Sequence, residues 1–378
     1  MPPSDVKEIL QDWRDLWKEP YAALANRAES GERLLGYFCS YTPEEMLHAA
    51  GFTPVRIVGQ QRNVDLADTH LQGYCCSLAR TDLDMALAGD LAWLEGAVFV
   101  QTCDTMQRLS DIWRLNTGFA YHGDVVLPAR LGDPLAERYL VEELRSFRTG
   151  LEKYAGAPVG DEALRESIRI YNRNRELLGR LYEMLAAGAG ITGTEVLSCV
   201  MAGMWMRKEK HNELLEKLLA GLENQSAPVN GRLRLLISGS LCTTPEFTEM
   251  VEGMGALIAD DDLCCGHRYI EGEAAEEGDP VVALARRLSE RVICPAKHSP
   301  GVDRAAYLVD KAGRAGARGA IFFLQNFCDP HAFDFPWLRE RLQQEGVAVL
   351  LLESQLQTPA LGQMQTRVEA FLEMIRGA

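Results

Sequence analysis

The sequence predicts an α/β fold with two parallel-sheet halves, an N-terminal helix and a helical insert. Three observations point there. Short, near-continuous apolar runs recur along the chain, as strands covered on both faces require. Helical segments lie between those runs, the pattern of doubly wound sheets. The order of residues around the runs is repeated in the second half.

Residues 4–28 read as one amphipathic helix, with Trp13, Leu16, Trp17 and Tyr21 at helical spacing. Strands are predicted at residues 55–58, 97–100, 233–237, 256–258, 320–324 and 347–352. Helices are predicted at 43–50, 78–88, 105–116, 245–252, 280–290, 303–313 and 335–344. Residues 134–224 are rich in helix formers and charge and contain no convincing strand; helices are predicted at 161–187 and 205–223. Ala227-Pro-Val-Asn-Gly231 then breaks the pattern. The predicted organisation is a helix over 1–30, an α/β subdomain over 31–133, the insert over 134–226 and a second α/β subdomain over 227–378.

The repeat is approximate. Gly36-Tyr-Phe-Cys39-Ser-Tyr-Thr-Pro43-Glu44 is echoed by Gly239-Ser-Leu-Cys242-Thr-Thr-Pro245-Glu246, and each is followed by a helix, a glycine and an apolar run. A cysteine pair follows in each half, Cys75-Cys76 and Cys264-Cys265. Each half then carries Gly-Ala, an apolar strand and Cys-Asp, ending at Cys103-Asp104 and Cys328-Asp329.

The net charge of −15 argues against a nucleic-acid partner, which needs a basic face to displace counterions. No stretch is long and uncharged enough for a membrane span. The first residues lack the basic and apolar regions of a secretory signal, so the cytoplasm is the expected compartment. There, ten cysteines are not expected to pair as disulfides. They are either scattered core thiols or metal ligands.

Position favours ligands. In parallel α/β sheets, ligands bind beyond the carboxyl ends of the strands. Cys103 and Cys328 both follow a strand and precede a helix, whose N-terminus is expected to lower a thiol's pKa. Cys199 lies inside a helical pattern and reads as structural. The seven histidines have no zinc-site spacing. His267 and His298 read as polar or substrate contacts. Thiolates spaced widely over several strand ends suit an iron–sulfur cluster buried between subdomains.

At these residues the chain resembles the subunits of 2-hydroxyacyl-CoA dehydratases and class I benzoyl-CoA reductases. The segments that carry the resemblance are Gly36-Tyr-Phe-Cys-Ser-Tyr-Thr-Pro-Glu-Glu-Met-Leu-His-Ala-Ala-Gly51, Cys76-Ser-Leu-Ala-Arg80, Thr102-Cys-Asp-Thr-Met-Gln-Arg108, Ser238-Gly-Ser240, Asp261-Asp-Leu-Cys-Cys-Gly266, Cys294-Pro295, Phe327-Cys-Asp-Pro330 and Gly362-Gln-Met-Gln-Thr-Arg367.

The resemblance implies two flavodoxin-like subdomains and a 4Fe-4S cluster held by Cys76, Cys103 and Cys328, with Cys75 a neighbouring alternative. It implies an acyl-CoA substrate and a homologous second subunit. It also implies a separate ATP-hydrolysing iron–sulfur activator that supplies one low-potential electron. The reaction is then dehydration of a 2-hydroxyacyl-CoA or reductive dearomatisation of a benzoyl-CoA-type ring. A related branch holds a double-cubane cluster and reduces small molecules, as a homodimer. Cys39, Cys264 and Cys294 stand near that branch's additional ligands. A non-catalytic electron relay is a further alternative.

Ser40, Glu44 and Glu45 follow the first strand-end turn, where substrate approaches, so Ser40 and Glu45 are acid/base candidates. The simpler and favoured reading of Glu44 and Glu45 is a first helical turn after Pro43, where acidic side chains suit the macrodipole. Gln363, Thr366 and Arg367 read as substrate contacts or a helix cap. There is no G-x-G-x-x-G after the first strand and no P-loop, so ATP hydrolysis is assigned elsewhere.

Overall fold

The computed structural model describes residues 4–223, 231–291, 294–299, 301–356 and 361–377. The chain opens with two helices, α1 (Ser4–Lys18) and α2 (Pro20–Glu29), where one was expected. Pro20 explains the break: it suits a first helical turn but pushes Glu19 out of helical geometry. Trp17 of α1 is buried and donates its indole N–H to the Thr243 carbonyl at 3.1 Å, tying the N-terminus to the second half.

The first half runs β1 (Leu34–Tyr37), α3 (Glu44–Ala49), β2 (Thr53–Arg56), α4 (Ser77–Ala88), β3 (Gly96–Val100), α5 (Asp104–Asn116) and β4 (Tyr121–Val125). Its strands are parallel in the order β2-β1-β3-β4. Strands β1 and β4 are additions to the sequence expectation. β1 is only four residues long. β4 sits at the sheet edge and alternates buried Tyr121, Gly123 and Val125 with half-buried His122 and Asp124, so it lacks the continuous apolar run.

Four helices follow: α6 (Pro134–Ala155), α7 (Asp161–Ala187), α8 (Gly193–Gly203) and α9 (Lys208–Glu223). Asp133 caps α6, and Thr192 with Glu195 forms a capping box on α8. Helix α8 is buried almost throughout, in a core that also takes in Trp17, Phe99, Ile237 and Phe323. The predicted break at 227–231 and the boundary at 226 fall on residues 224–230, outside the described residues, apart from Gly231.

The second half runs β5 (Leu233–Gly239), α10 (Glu246–Gly253), β6 (Ala256–Asp262), α11 (His267–Ile270), α12 (Pro280–Glu290), α13 (Arg304–Ala315), β7 (Gly319–Gln325), α14 (Asp329–Gln344), β8 (Ala348–Ser354) and α15 (Leu361–Gly377). Its parallel order is β6-β5-β7-β8, the same topology as the first sheet. The two sheets are thus flavodoxin-like subdomains related by repetition. Helix α14 starts at Asp329 rather than near Phe335, because Pro330 occupies a first-turn position and Pro336 is accommodated inside the helix. Helix α12 packs with α6 against the first sheet, through Leu284 and Leu288 beside Leu140 and Leu144. Among the described residues no helix is long and apolar enough to cross a membrane.

Candidate metal centre

Because all strands of each sheet are parallel, their carboxyl ends gather the following loops on one side. Cys39 comes two residues after β1, Cys103 three after β3, Cys264 two after β6 and Cys328 three after β7. Cys76, Cys103 and Cys328 are the residues immediately before α4, α5 and α14. Each sulfur lies against the N–H of the residue three positions on: Ala79, Met106 and His331, respectively. Such amides favour the thiolate.

The ten thiols divide by exposure. Cys75, Cys199, Cys242 and Cys265 are buried, whereas Cys39, Cys76, Cys103, Cys264, Cys294 and Cys328 are half-buried, and all ten are free. The half-buried six form one electrostatic set. Cys76 is acted on by Cys103, Cys328 by Cys76, Cys294 and Cys103, and Cys103 by Cys294 and Cys39. Cys264 is acted on by Cys39 and Cys294. Cys75 faces Arg80, Asp104 and Thr105 instead, which favours Cys76 as the family-position thiol. Cys242 occupies the repeat position of Cys39 but turns into the core, where its N–H meets the Cys265 sulfur at 3.4 Å. Cys199 is buried in α8, as expected of a structural thiol.

The expected lowering of thiol pKa by helix N-termini is not realised. Burial wins, pushing Cys76 up to about 12, Cys103 to about 11, and Cys264 and Cys328 upward as well. Burial thus favours the protonated form of these four thiols, and a metal group held here would have to displace their protons.

The sequence reading did not single out the cations here. Arg56 is buried at the end of β2, and its Nη2 points to the Cys264 sulfur at 3.9 Å, while its Nε and Nη1 have no hydrogen-bond partner. Arg291 donates to the Ser40 carbonyl at 2.6 Å and to Ser40 Oγ at 3.3 Å, and lies over the Tyr41 ring. Lys297 donates to the carbonyls of Leu127 at 3.2 Å and Gln101 at 3.4 Å. Arg268 pairs with Asp262 and leaves Nη1 without a partner. One signal was present: Arg56 interrupts an otherwise apolar strand, Thr53-Pro-Val-Arg-Ile-Val58.

Ser40 thus lies beside Cys39, held by Arg291. Glu45 is placed differently: it forms a buried ion pair with Arg175 of α7. Glu44 accepts from the Tyr269 hydroxyl at 3.0 Å and lies 3.7 Å from the Lys208 ammonium. The two acidic residues do occupy the first turn of α3, yet both are buried and paired rather than solvated. His267 bonds Asp260 at 2.8 Å. Thr366 donates to the Gly362 carbonyl and Arg367 to the Leu351 carbonyl, both on the surface.

Among the described residues no three His, Cys, Asp or Glu side chains are arranged to hold a single metal ion. The six thiols are spaced too widely for that. Soft cysteine sulfurs beside guanidinium groups that keep unpaired N–H groups suit an anionic iron–sulfur group. A crevice of about 570 Å³ opens near the ends of β5, β7 and β8, between Tyr21, Gly59, Phe247, Phe323 and Leu356. Its Gln325 accepts from Ser77, the residue after Cys76, at 2.9 Å.

Residues 39–375 match the family model described as 2-hydroxyglutaryl-CoA dehydratase, D-component. The chain belongs to this family. It is 30% identical to one of the subunits of benzoyl-CoA reductase from Thauera aromatica, over 88% of this chain and 86% of that one. It is 28% identical to the beta subunit of lactoyl-CoA dehydratase from Anaerotignum propionicum, over 98% of this chain and all of that one. The beta subunit of (R)-2-hydroxyglutaryl-CoA dehydratase from Acidaminococcus fermentans is 23% identical, over 98% of this chain and all of the relative. The D-component family therefore joins subunits of oxidoreductases and of lyases, and the resemblance read from the cysteine motifs is borne out.

Proposed function

We propose that this chain is the iron–sulfur subunit of an ATP-driven radical enzyme acting on an acyl-CoA thioester, by benzoyl-CoA-type reduction or 2-hydroxyacyl-CoA dehydration. The observation that carries the reading is the convergence of Cys76, Cys103 and Cys328. Each opens a helix, each receives the third amide on, Cys103 faces Cys76, and both face Cys328. When bound, the cluster supplies low-potential one-electron chemistry. The chain's own part is to hold it, shield it from water and admit substrate beside it. Ser40, next to Cys39, is the polar group best placed for a substrate oxygen. A homologous second subunit and a separate ATP-hydrolysing activator are the partners, and the cytoplasm is the compartment.

A second reading is favoured by one specific observation. Cys39, Cys264 and Cys294 share the half-buried state and the mutual coupling of the first three thiols. Six thiolates suit a double-cubane cluster, with a homodimer and a small-molecule substrate. Anaerobic iron and sulfide analysis separates the two: about four of each per chain for one cubane, about eight for two. Less than one iron per chain after strictly anaerobic isolation overturns both. Perturbation of this chain's EPR spectrum by an acyl-CoA supports the thioester substrate. No response to any acyl-CoA, with the cluster intact, excludes it.

A further inference from the structure

We infer that Arg56, Arg268, Arg291 and Lys297 make the Cys39–Cys264–Cys294 end of the thiol set the more readily reduced end, where an incoming electron comes to rest. This rests on the six-thiolate reading above and assigns its two ends different roles.

The geometry is asymmetric. Arg56 reaches the Cys264 sulfur, and its charge also faces Cys39. Arg268 pairs with Asp262 and also faces Cys294 and Cys264. Arg291 holds the turn that carries Cys39, through two hydrogen bonds to Ser40, and lies over the ring of Tyr41, whose hydroxyl accepts from the Cys294 amide at 3.3 Å. Lys297 faces Cys39 and Cys294, and alone among the four extends to Cys103. At the other end, the groups facing Cys328 are other cysteines, those facing Cys76 are cysteines and Asp82, and no arginine or lysine is among them.

Among the described residues no carboxylate pairs with Arg56, Arg291 or Lys297, and Arg268 shares Asp262 with Arg304. Asp82 faces Arg56 without pairing with it, and burial pushes its carboxyl well above the usual range. An isolated buried cation is strongly unfavourable, so a cluster of them is retained where an anion answers it. In a low-dielectric cleft, fixed positive charge also stabilises each added electron. One electron leaves an external one-electron donor, such as a reduced iron–sulfur protein, and one is gained at the cationic end. No bond or proton need move.

The test uses the anaerobically loaded full chain and a redox titration with Ti(III) citrate followed by EPR. Arg56→Gln and Lys297→Met should leave iron content unchanged. Each should shift the first one-electron reduction equilibrium at least tenfold against reduction, about 59 mV to the negative. Arg56→Lys should restore most of it. Arg80→Gln, a charge removed at the Cys75–Cys76 end, should shift the first step less than twofold. If Arg56→Gln fails to load, Lys297→Met decides. Equal shifts in the first step for Arg80→Gln and Lys297→Met, or none for Lys297→Met, overturn the inference while eight irons keep the six-thiolate reading intact. A wild-type chain with four irons, all lost on Cys76→Ala/Cys103→Ala/Cys328→Ala, overturns both together.

Discussion

Glu45 of α3 and Arg175 of α7 form an ion pair buried on both sides. Burial alone raises a carboxyl's pKa, yet the guanidinium groups of Arg175 and Arg287 hold Glu45 below its ordinary value. Arg175 also donates to Asn172 at 2.9 Å, and Asn172 binds the Ala274 backbone. The pair therefore joins α3, which follows the Cys39 turn, to the insert and to the second half.

Glu45→Ala is expected to destabilise the fold by about 3–5 kcal/mol, because Arg175 is left buried and uncompensated. Glu45→Leu with Arg175→Met should recover most of that loss. Urea unfolding of the three chains checks it. A single variant as stable as wild type would remove the ion pair from the structural account and return Glu45 to the acid/base candidates.

Cys75→Ser should retain the full iron content, and Cys76→Ser should lose at least the share of one cubane. The two residues are adjacent but face different groups, Arg80 and Asp104 for Cys75 and the thiols Cys103 and Cys328 for Cys76. Iron analysis of both anaerobic preparations is decisive, and the reverse pattern would shift the ligand by one position.

Stability should fall as pH drops below 6.5. Burial, with the nearby Lys208 charge, lowers the His211 pKa to about 3, while an unfolded histidine titrates at 6.5. Between those values only the unfolded chain takes up the proton, so the stabilisation is complete above pH 6.5 and lost toward pH 3 at about 1.4 kcal/mol per unit. Urea midpoints at pH 7, 6 and 5 measure the slope. His211→Gln, which keeps a partner for the Asn174 amide, should flatten it. An unchanged slope would assign the effect to other groups.

Gly96 and Gly319 stand at the same place in the repeat, but for different reasons. A Cβ at Gly96 would lie 2.2 Å from the Tyr121 carbonyl oxygen, backbone that cannot yield without disturbing β3 and β4. At Gly319 it would meet the ends of Ile375 and Phe371 at 2.6 and 2.9 Å, side chains that can shift. Gly96→Ala should therefore cost more than Gly319→Ala, at the upper end of the roughly 1–3 kcal/mol of overpacking. Comparable midpoint losses would show that the β3–β4 edge adapts.

Much of this architecture was legible because the buried strands of parallel sheets are continuous apolar runs. Residues 97–100 and 320–324 announce themselves by composition alone. β1 and β4 do not: one is four residues with a glycine, the other is an edge strand with polar residues on alternate positions. Cys103 and Cys328 were readable from their strand-end place. The convergence of Cys294 was not, because it lies in a loop after α12 and reaches the set only when α12 packs on the first sheet. The repeat even misleads at Cys242, which matches Cys39 in sequence yet turns into the core toward Cys265. The buried pairing of Glu45 was invisible too, since Arg175 is 130 residues away.

The six half-buried thiols are drawn equally from both halves: Cys39, Cys76 and Cys103 from the first, Cys264, Cys294 and Cys328 from the second. That division sets a timetable. Chains fold N-terminal part first during synthesis. The first half can form its sheet while the second is still on the ribosome, but it then displays only three of the thiols. The set closes once Cys328 has emerged and β7 has paired with β5. Loading by six thiolates would thus be a late, post-synthetic event, and a half-made chain would expose its three thiols to oxidation in the meantime.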